Sequence, residues 1–250
     1  MENKVALITG AARGIGLATT HLLLSRGWRV AMIDRDGEAL DAAASSADGA
    51  QAFQCDVSDP VAVGTMAAAV TEAFGRIDAV VNNAGVAEFG PIGETDFACW
   101  RRVMETNLDG VFLVSQATLP ALKMSRGALV NIASISGLRA STLRVAYGTS
   151  KAGVIQLTRQ QAAELGEFGI RANCICPGPV RTKLAMAVHS QQIIDAYHDA
   201  IPLNRYGSET EIAECIAFLC SDQASYVTGQ VLAADGGFEA TGVGLPALRR

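Results

Sequence analysis

The sequence predicts an α/β fold in which a parallel sheet is covered by helices on both faces, and three features of its 250 residues carry that reading. Seven short apolar runs, at 5–8, 30–34, 52–55, 79–81, 128–132, 171–176 and 231–234, alternate with longer Ala- and Leu-rich stretches of helical length. Strand–helix alternation of this kind builds a parallel sheet through right-handed crossovers. The runs show no polar alternation, which suits strands buried on both faces. Half of the residues are apolar and 18% are charged, so the chain can bury a large core and is not a disordered tail.

The first run leads into Thr9-Gly10-Ala11-Ala12-Arg13-Gly14-Ile15-Gly16 and then a helix over 15–26. Gly10 permits a tight turn, Gly14 lets a phosphate approach the backbone, and Gly16 lets the helix pack closely. Free N–H groups and the helix dipole at that end attract a pyrophosphate. A glycine cluster alone is a weak signal, but its place between first strand and first helix is the context a dinucleotide site requires. The second run ends at Asp34, near the spacing of the ribose-binding acid of such a site. A carboxylate there accepts hydrogen bonds from the adenosine ribose and repels a 2′-phosphate, which favours NAD over NADP. Arg13 and Arg35 pull the other way, because either can pair with that phosphate. Asp34 also fits as the N-cap of a helix over 37–46.

Further helices are expected over 60–74, 97–123, 148–168 and 209–220. Asn82-Asn83-Ala84-Gly85 closes the fourth strand, Asn107 lies inside the long helix over 97–123, and Asn131-Ile-Ala-Ser134 closes the fifth strand. The carboxyl ends of strands converge in open α/β sheets, so these groups can meet a cofactor in one crevice. Tyr147 and Lys151 stand four apart on a helix and share a face. A neighbouring ammonium stabilises a phenolate, so this pair is expected to lower the tyrosine pKa and make Tyr147 a general acid/base.

Residues 178–207 break the rhythm, opening with Pro177-Gly178-Pro179, carrying a helical-looking piece near 182–198 and returning through Ile201-Pro202. An excursion of this length is a substrate lid or a fixed surface loop. The loop joining Ser134 to Tyr147 contains Ser136, Arg139 and Arg144 and should border the pocket; an arginine such as Arg144 can give an anion two parallel hydrogen bonds, face solvent or pair with a neighbouring subunit.

No linker, charge block or repeat divides the chain, so residues 1–250 read as one catalytic domain. A net charge of −5 argues against nucleic-acid binding. The opening residues lack the basic and apolar pattern of a secretory leader, and no apolar run reaches the ~18 residues of a membrane span. With six scattered cysteines, the chain reads as a cytoplasmic protein with reduced thiols. Cys174 and Cys176 alternate on a strand without the further ligands a metal site needs, so they read as small buried hydrophobes. His21 lies away from the crevice; His189 and His198 lie in the 178–207 excursion, from which they can reach substrate, though surface placement is expected; Trp28 reads as packing. The tail 242–250 carries two leucines and a valine, and is expected to dock on a neighbouring subunit.

The ordered set of Thr9-Gly10-(x3)-Gly14-Ile15-Gly16, Asp56-Val57, Asn82-Asn83-Ala84-Gly85, Asn107, Ser134, Tyr147-(x3)-Lys151 and Pro177-Gly178 resembles the short-chain dehydrogenase/reductase family. The resemblance runs through Val231-Leu-Ala-Ala-Asp-Gly-Gly237, thus over essentially the whole chain. It implies a Rossmann-like, doubly wound sheet of seven strands and a catalytic tetrad of Asn107, Ser134, Tyr147 and Lys151. It further implies that Asp56 and Val57 touch adenine, that Asn83, Ala84 and Gly85 line the adenosine side, and that Val180 and Thr182 meet the nicotinamide carboxamide. Similar proteins are commonly homotetramers paired through the long helices and the last strand. The function implied is NAD-dependent hydride transfer to or from a secondary alcohol or ketone of a small polar substrate, possibly anionic in view of Arg144. Two alternatives stand beside it: an NADPH-dependent 3-oxoacyl reductase, and a non-catalytic dinucleotide sensor.

Overall fold

A computed structural model describes residues 4–182, 186, 189–242 and 244. Seven parallel strands form one sheet: β1 (Val5–Thr9), β2 (Arg29–Asp34), β3 (Ala50–Gln54), β4 (Ala79–Asn82), β5 (Ala128–Ile132), β6 (Arg171–Pro177) and β7 (Val231–Ala234). Their spatial order is β3-β2-β1-β4-β5-β6-β7. The chain therefore reverses direction across the sheet between β1 and β4, the switch point at which such sheets open a crevice beyond their carboxyl ends. The inner strands are buried along their length, whereas edge strands β3 and β7 are partly exposed.

Helices α1 (Gly14–Ser25) and α2 (Gly37–Ser45) cover one face with the late helix α9 (Glu209–Cys220), where Leu23, Leu40, Ile212 and Ile216 meet Ile8 and Met32. On the other face, α3 (Pro60–Phe74) and α5 (Gly110–Ser125) pack Val63, Val70, Val114 and Leu122 on Leu7, Val80 and Leu129. The local signals are ordinary capping chemistry. Asp59 accepts from Val61 and Ala62 ahead of Pro60, and Ser208 and Glu211 form a reciprocal capping box on α9.

The stretch 97–123 is not one helix. It divides into α4 (Phe97–Met104), a π-helical turn (Glu105–Asp109) and α5. The widened turn places Asn107 with no exposed surface, its amide bonded to both backbone groups of Val86. π-turns of this kind commonly mark functional sites. The helix expected over 148–168 is α7 (Val145–Leu165), followed by a 3₁₀ turn (Gly166–Phe168). A one-turn helix not expected from the sequence, α6 (Ile135–Leu138), starts at Ser134, whose hydroxyl caps it by accepting from the Ser136 N–H at 3.1 Å. Within 178–207 the described helix is α8 (Gln191–Ala200), later than the expected 182–198. Residues 1–3, 183–185, 187, 188, 243 and 245–250 lie outside the described set, and so does nearly all of the tail. No described helix is long and apolar enough to cross a membrane.

Candidate active site

The crevice over β1 and β4 is built for an anion by omission of side chains. Gly10 and Gly14 adopt φ of +64° and +62°, where other residues are strained. A Cβ on Gly16 would run into the Gly10 carbonyl and come within 2.7 Å of Asn83 Nδ2, so only glycine lets α1 start here. Arg13, the residue that precedes α1, supplies no side-chain cap, and no acid occupies the first turn, which leaves the helix N–H groups available to a phosphate. The cradle fits a dinucleotide pyrophosphate.

Asn83 braces the cradle. Its Nδ2 donates to the carbonyls of Thr9 and Gly10 at 3.0 and 3.1 Å, while the N–H groups of Asn83 and Ala84 share Thr9 Oγ1 at 3.0 Å. Asp34 lies at the tip of β2, accepting from Ala12 N at 3.2 Å and Asp36 N at 3.1 Å, with lone pairs left for ribose hydroxyls. The N-cap of α2 is Asp36 rather than Asp34, and Asp36 also binds Arg13. Arg13 is thereby turned to a carboxylate. Burial works against the charge on Asp56, but two hydrogen bonds from Ser58 and the positive Arg35 outweigh it and hold the carboxyl low. The Val57 side chain is buried against Gly110 in the core.

The remaining candidate groups gather at the ends of β4, β5 and β6. Gly85 lies against Asn107 and Lys151: a Cβ on it would come within 3.3 Å of Asn107 Oδ1 and 3.5 Å of Lys151 Nζ. Asn107 also donates to Ser150 Oγ at 3.1 Å. Lys151 is 4% exposed, and its Nζ donates to the Ile132 carbonyl at 2.7 Å, 5.8 Å from the centre of the Tyr147 ring. Burial pushes the Lys151 ammonium down to about 8. Burial pushes the Tyr147 phenol up, with the Ser134 hydroxyl and the positive Arg144 pulling in the other direction. The expected lowering by Lys151 is therefore not what this geometry shows: the ammonium is turned to a carbonyl and is itself half neutralised near pH 8. Gly178 sits 2.6 Å, at a notional Cβ, from Asp235 Cβ, and its N–H donates to Ala234 at 3.1 Å, so the chain beyond β6 can turn here only with glycine. Val180 is 6% exposed and bridges to Gly207; Thr182 lines the cleft.

Behind these groups lies a closed polar ring. Asn82 Nδ2 donates to Asn131 Oδ1 and Ser115 Oγ; Asn131 Nδ2 donates to Thr158 Oγ1 and Gln161 Oε1; Gln161 Nε2 returns to Ser115 Oγ, all between 2.8 and 3.2 Å. It joins β4, β5, α5 and α7, the elements that carry or adjoin Asn83, Asn107, Ser134 and Tyr147.

With that geometry in place, the comparisons with known proteins are decisive. The family profile described as Enoyl-(Acyl carrier protein) reductase matches residues 10–239. Meso-2,3-butanediol dehydrogenase of Serratia marcescens is 39% identical over 242 residues, covering 96% of each chain. The chain belongs to the short-chain dehydrogenase/reductase family. This short-chain dehydrogenase/reductase is similar too to 2-(S)-hydroxypropyl-CoM dehydrogenase 3 of Xanthobacter autotrophicus, 37% identical over 96% of this chain and 98% of that one. The solved structure of levodione reductase superposes with a TM-score of 0.91 at 35% identity, over 95% and 98% of the two chains. The protein is accordingly an oxidoreductase of alcohols and ketones, in a family that uses NAD(H) or NADP(H).

The substrate side of this dehydrogenase/reductase is a cleft of about 760 Å³ that contains Ser134, Tyr147 and Lys151. Ser136 lines it, its hydroxyl 3.0 Å from that of Ser141. Arg144 lies over the Phe89 ring at 4.6 Å and 5.8 Å from that of Tyr147; Arg139 lies over Phe238 at 4.5 Å and donates to Glu239 O at 3.1 Å. No carboxylate is among the described residues that line the cleft, and Arg144 forms no ion pair with a described residue. His189 lines this cleft within an aromatic cluster, a correction to its expected surface placement. Phe89, Tyr197 and Phe238 also line it, and no sequence signal marks them: each is a single aromatic in a loop or a helix, even where, as at Phe238, a glycine motif directly precedes it. Cys174 and Cys176 are fully buried against Val154 and Ile155, as small hydrophobes.

Proposed function

We propose that the protein is an NAD(H)-dependent dehydrogenase that interconverts a secondary alcohol and a ketone in a small polar substrate bearing an anionic group. The single observation that carries the substrate class is the cleft itself: Tyr147, Arg144, Arg139 and Lys151 line it without a described carboxylate. A guanidinium covered on one face by Phe89 and without an ion pair to a described residue keeps its donor edge for a carboxylate or sulfonate, to which it can give two parallel hydrogen bonds.

When bound, the nicotinamide ring accepts or supplies the hydride. Tyr147 takes the hydroxyl proton in oxidation and returns it in reduction. Ser134 hydrogen-bonds the same substrate oxygen and stabilises the charge that develops there. Lys151 holds the nicotinamide ribose, and Asn107 holds a water that links Lys151 to solvent. Gly10, Gly14, Ile15 and Gly16 receive the pyrophosphate, and Asp34 the adenosine ribose. Asp56, Val57 and Asn83 to Gly85 flank the adenosine, while Pro177, Gly178, Val180 and Thr182 flank the nicotinamide. The preference for NAD rests on Asp34 at the tip of β2 and on the engagement of Arg13 by Asp36.

The same reading includes a homotetramer. Phe97 and Phe112, 75% and 45% exposed on α4 and α5, and Leu232 on β7, 40% exposed, are apolar surface of the kind an interface covers. Six unpaired cysteines suit a reducing cytoplasm.

Steady-state kinetics with NAD and with NADP, on hydroxy acids, hydroxyalkane sulfonates and their amides, test the proposal. A preference for anionic over size-matched neutral alcohols is expected, and Arg144→Ala should lower the anionic-to-neutral ratio of kcat/KM about tenfold, mostly through KM. A native enzyme that prefers neutral polyols, with that ratio unmoved by Arg144→Ala, refutes the anionic reading.

A further inference from the structure

His189 is held more tightly than a surface histidine would be. Its ring stacks on Tyr197 at 5.6 Å and meets Tyr206 edge-on at 6.0 Å, and Nδ1 lies 3.0 Å from the Tyr206 hydroxyl. Tyr206 is 8% exposed, and burial pushes its phenol up to about 12, so it keeps its proton at physiological pH. A buried phenol has to donate its proton, and His189 Nδ1 is its acceptor among the described residues. A nitrogen that accepts carries no hydrogen in neutral imidazole, so the ring proton is on Nε2.

That leaves Nε2–H as a donor to which no described residue supplies an acceptor, on a ring that lines the substrate cleft. Burial, and then the positive charge of Arg144, work against protonation of His189 and keep it neutral. Both residues line the one cleft: Arg144 comes from the loop before α7, and His189 from the segment before α8. A neutral donor can stand opposite a guanidinium without repelling it, and the two together can grip an anion from both sides.

We infer that His189 is a specificity-determining residue whose Nε2–H, oriented by Tyr206, donates to the same carboxylate or sulfonate that Arg144 holds. The inference rests on the anionic-substrate reading above and adds a second contact from a different segment of the chain. Tyr206 is then a positioning residue, since it touches the substrate only through His189.

Two measurements on the NAD-saturated enzyme test this. The chain has three histidines, so nitrogen-15 spectra can assign the tautomer of each. The Nε2–H form is expected for His189, and the Nδ1–H form overturns the inference. In kinetics, the probes are a hydroxy acid and its amide, 3-hydroxybutyrate and 3-hydroxybutanamide, extended to a hydroxyalkane sulfonate and its sulfonamide. His189→Leu should lower the acid-to-amide ratio of kcat/KM about tenfold, through KM. His189→Gln, which keeps a donor near the Nε2 position, should recover part of the ratio. Tyr206→Phe, which removes one hydroxyl and preserves the packing, should lower it a few-fold. If Arg144→Ala lowers the ratio and His189→Leu does not, the anionic reading stands and the role of His189 is overturned. If His189→Leu lowers acid and amide alike, the ring is only a wall, and the inference is overturned as well. If no anionic probe is preferred and neither variant moves the ratio, both readings fall together.

Discussion

At the glycine turn the chain makes room by leaving side chains out, whereas at the substrate end it encloses space with side chains drawn from distant segments. In the first region Gly10, Gly14 and Gly16 lie within one short turn, and Thr9 and Asn83 brace it with bonds of 3.0–3.1 Å. In the second, Phe89, Arg144, His189 and Phe238 come together from across 150 residues of sequence, joined by aromatic stacking and cation–π contacts. Backbone donors at a helix end suit a ligand part common to every turnover, since they offer fixed geometry and little discrimination. Side chains on loops suit the variable part, because each can be exchanged without disturbing the sheet. The difference teaches that affinity for the dinucleotide and selectivity for the substrate are separable in this molecule.

The largest expected effect is at the boundary between the two regions. Tyr147→Phe should reduce kcat by roughly a thousandfold or more, in line with the loss of a general acid/base, while dinucleotide binding by fluorescence titration stays within a few-fold. Equal losses in both would mean that the phenol belongs to the cofactor half and would break the separation.

Next in size is the polar ring that holds the two halves together. Asn131→Leu leaves Asn82, Thr158 and Gln161 without their buried partner, and should destabilise the protein by about 3 kcal/mol in urea unfolding. It should also depress kcat more than it raises KM, because α7 carries Tyr147 and Lys151. An Asn131→Leu protein of native stability would show that the ring is incidental.

Lys151 sharpens the comparison through pH. Burial holds its ammonium at about 8, below the ordinary lysine value of 10.5. Below pH 8 it is charged in folded and unfolded chains alike, and the folded protein bears the whole cost of a buried charge. Between pH 8 and 10.5 the unfolded chain binds more protons, so stability rises with pH. Lys151→Met removes the charge and the bond to Ile132. With no dinucleotide added it should be more stable at pH 7 by about 2 kcal/mol, an advantage that fades by about pH 10, while turnover is lost. A destabilised Lys151→Met at pH 7 would contradict the burial argument.

The smallest effect concerns Asp34. NAD should be preferred at least tenfold, or about 1.4 kcal/mol, and Asp34→Ala should narrow or reverse the preference by removing the repulsion of a 2′-phosphate. Equal use of both cofactors by the native protein would remove Asp34 as the discriminator.

The sequence alone determined the strands, their parallel arrangement and the cofactor cradle. Each depends on contacts between near neighbours: apolar runs that need cover on both faces, glycines where a Cβ cannot fit, and the four-residue spacing of Tyr147 and Lys151. What it could not determine are the quantities that depend on which distant atoms meet. The π turn at Asn107 exists because its amide reaches Val86, and nothing in the helical pattern over 97–123 signals that bond. The raised Tyr147 phenol follows from burial, and the turning of Lys151 toward Ile132 from the position of β5, neither of which a helix face reveals. The surroundings of His189 were decided in the same way. In isolation it is one polar residue in a helical-looking stretch, and only the tertiary structure brings Tyr197 and Tyr206 around it and sets it in the same cleft as Arg144. Local sterics and hydrophobic periodicity are written in consecutive residues, whereas desolvation and long-range pairing arise only once the chain has closed on itself.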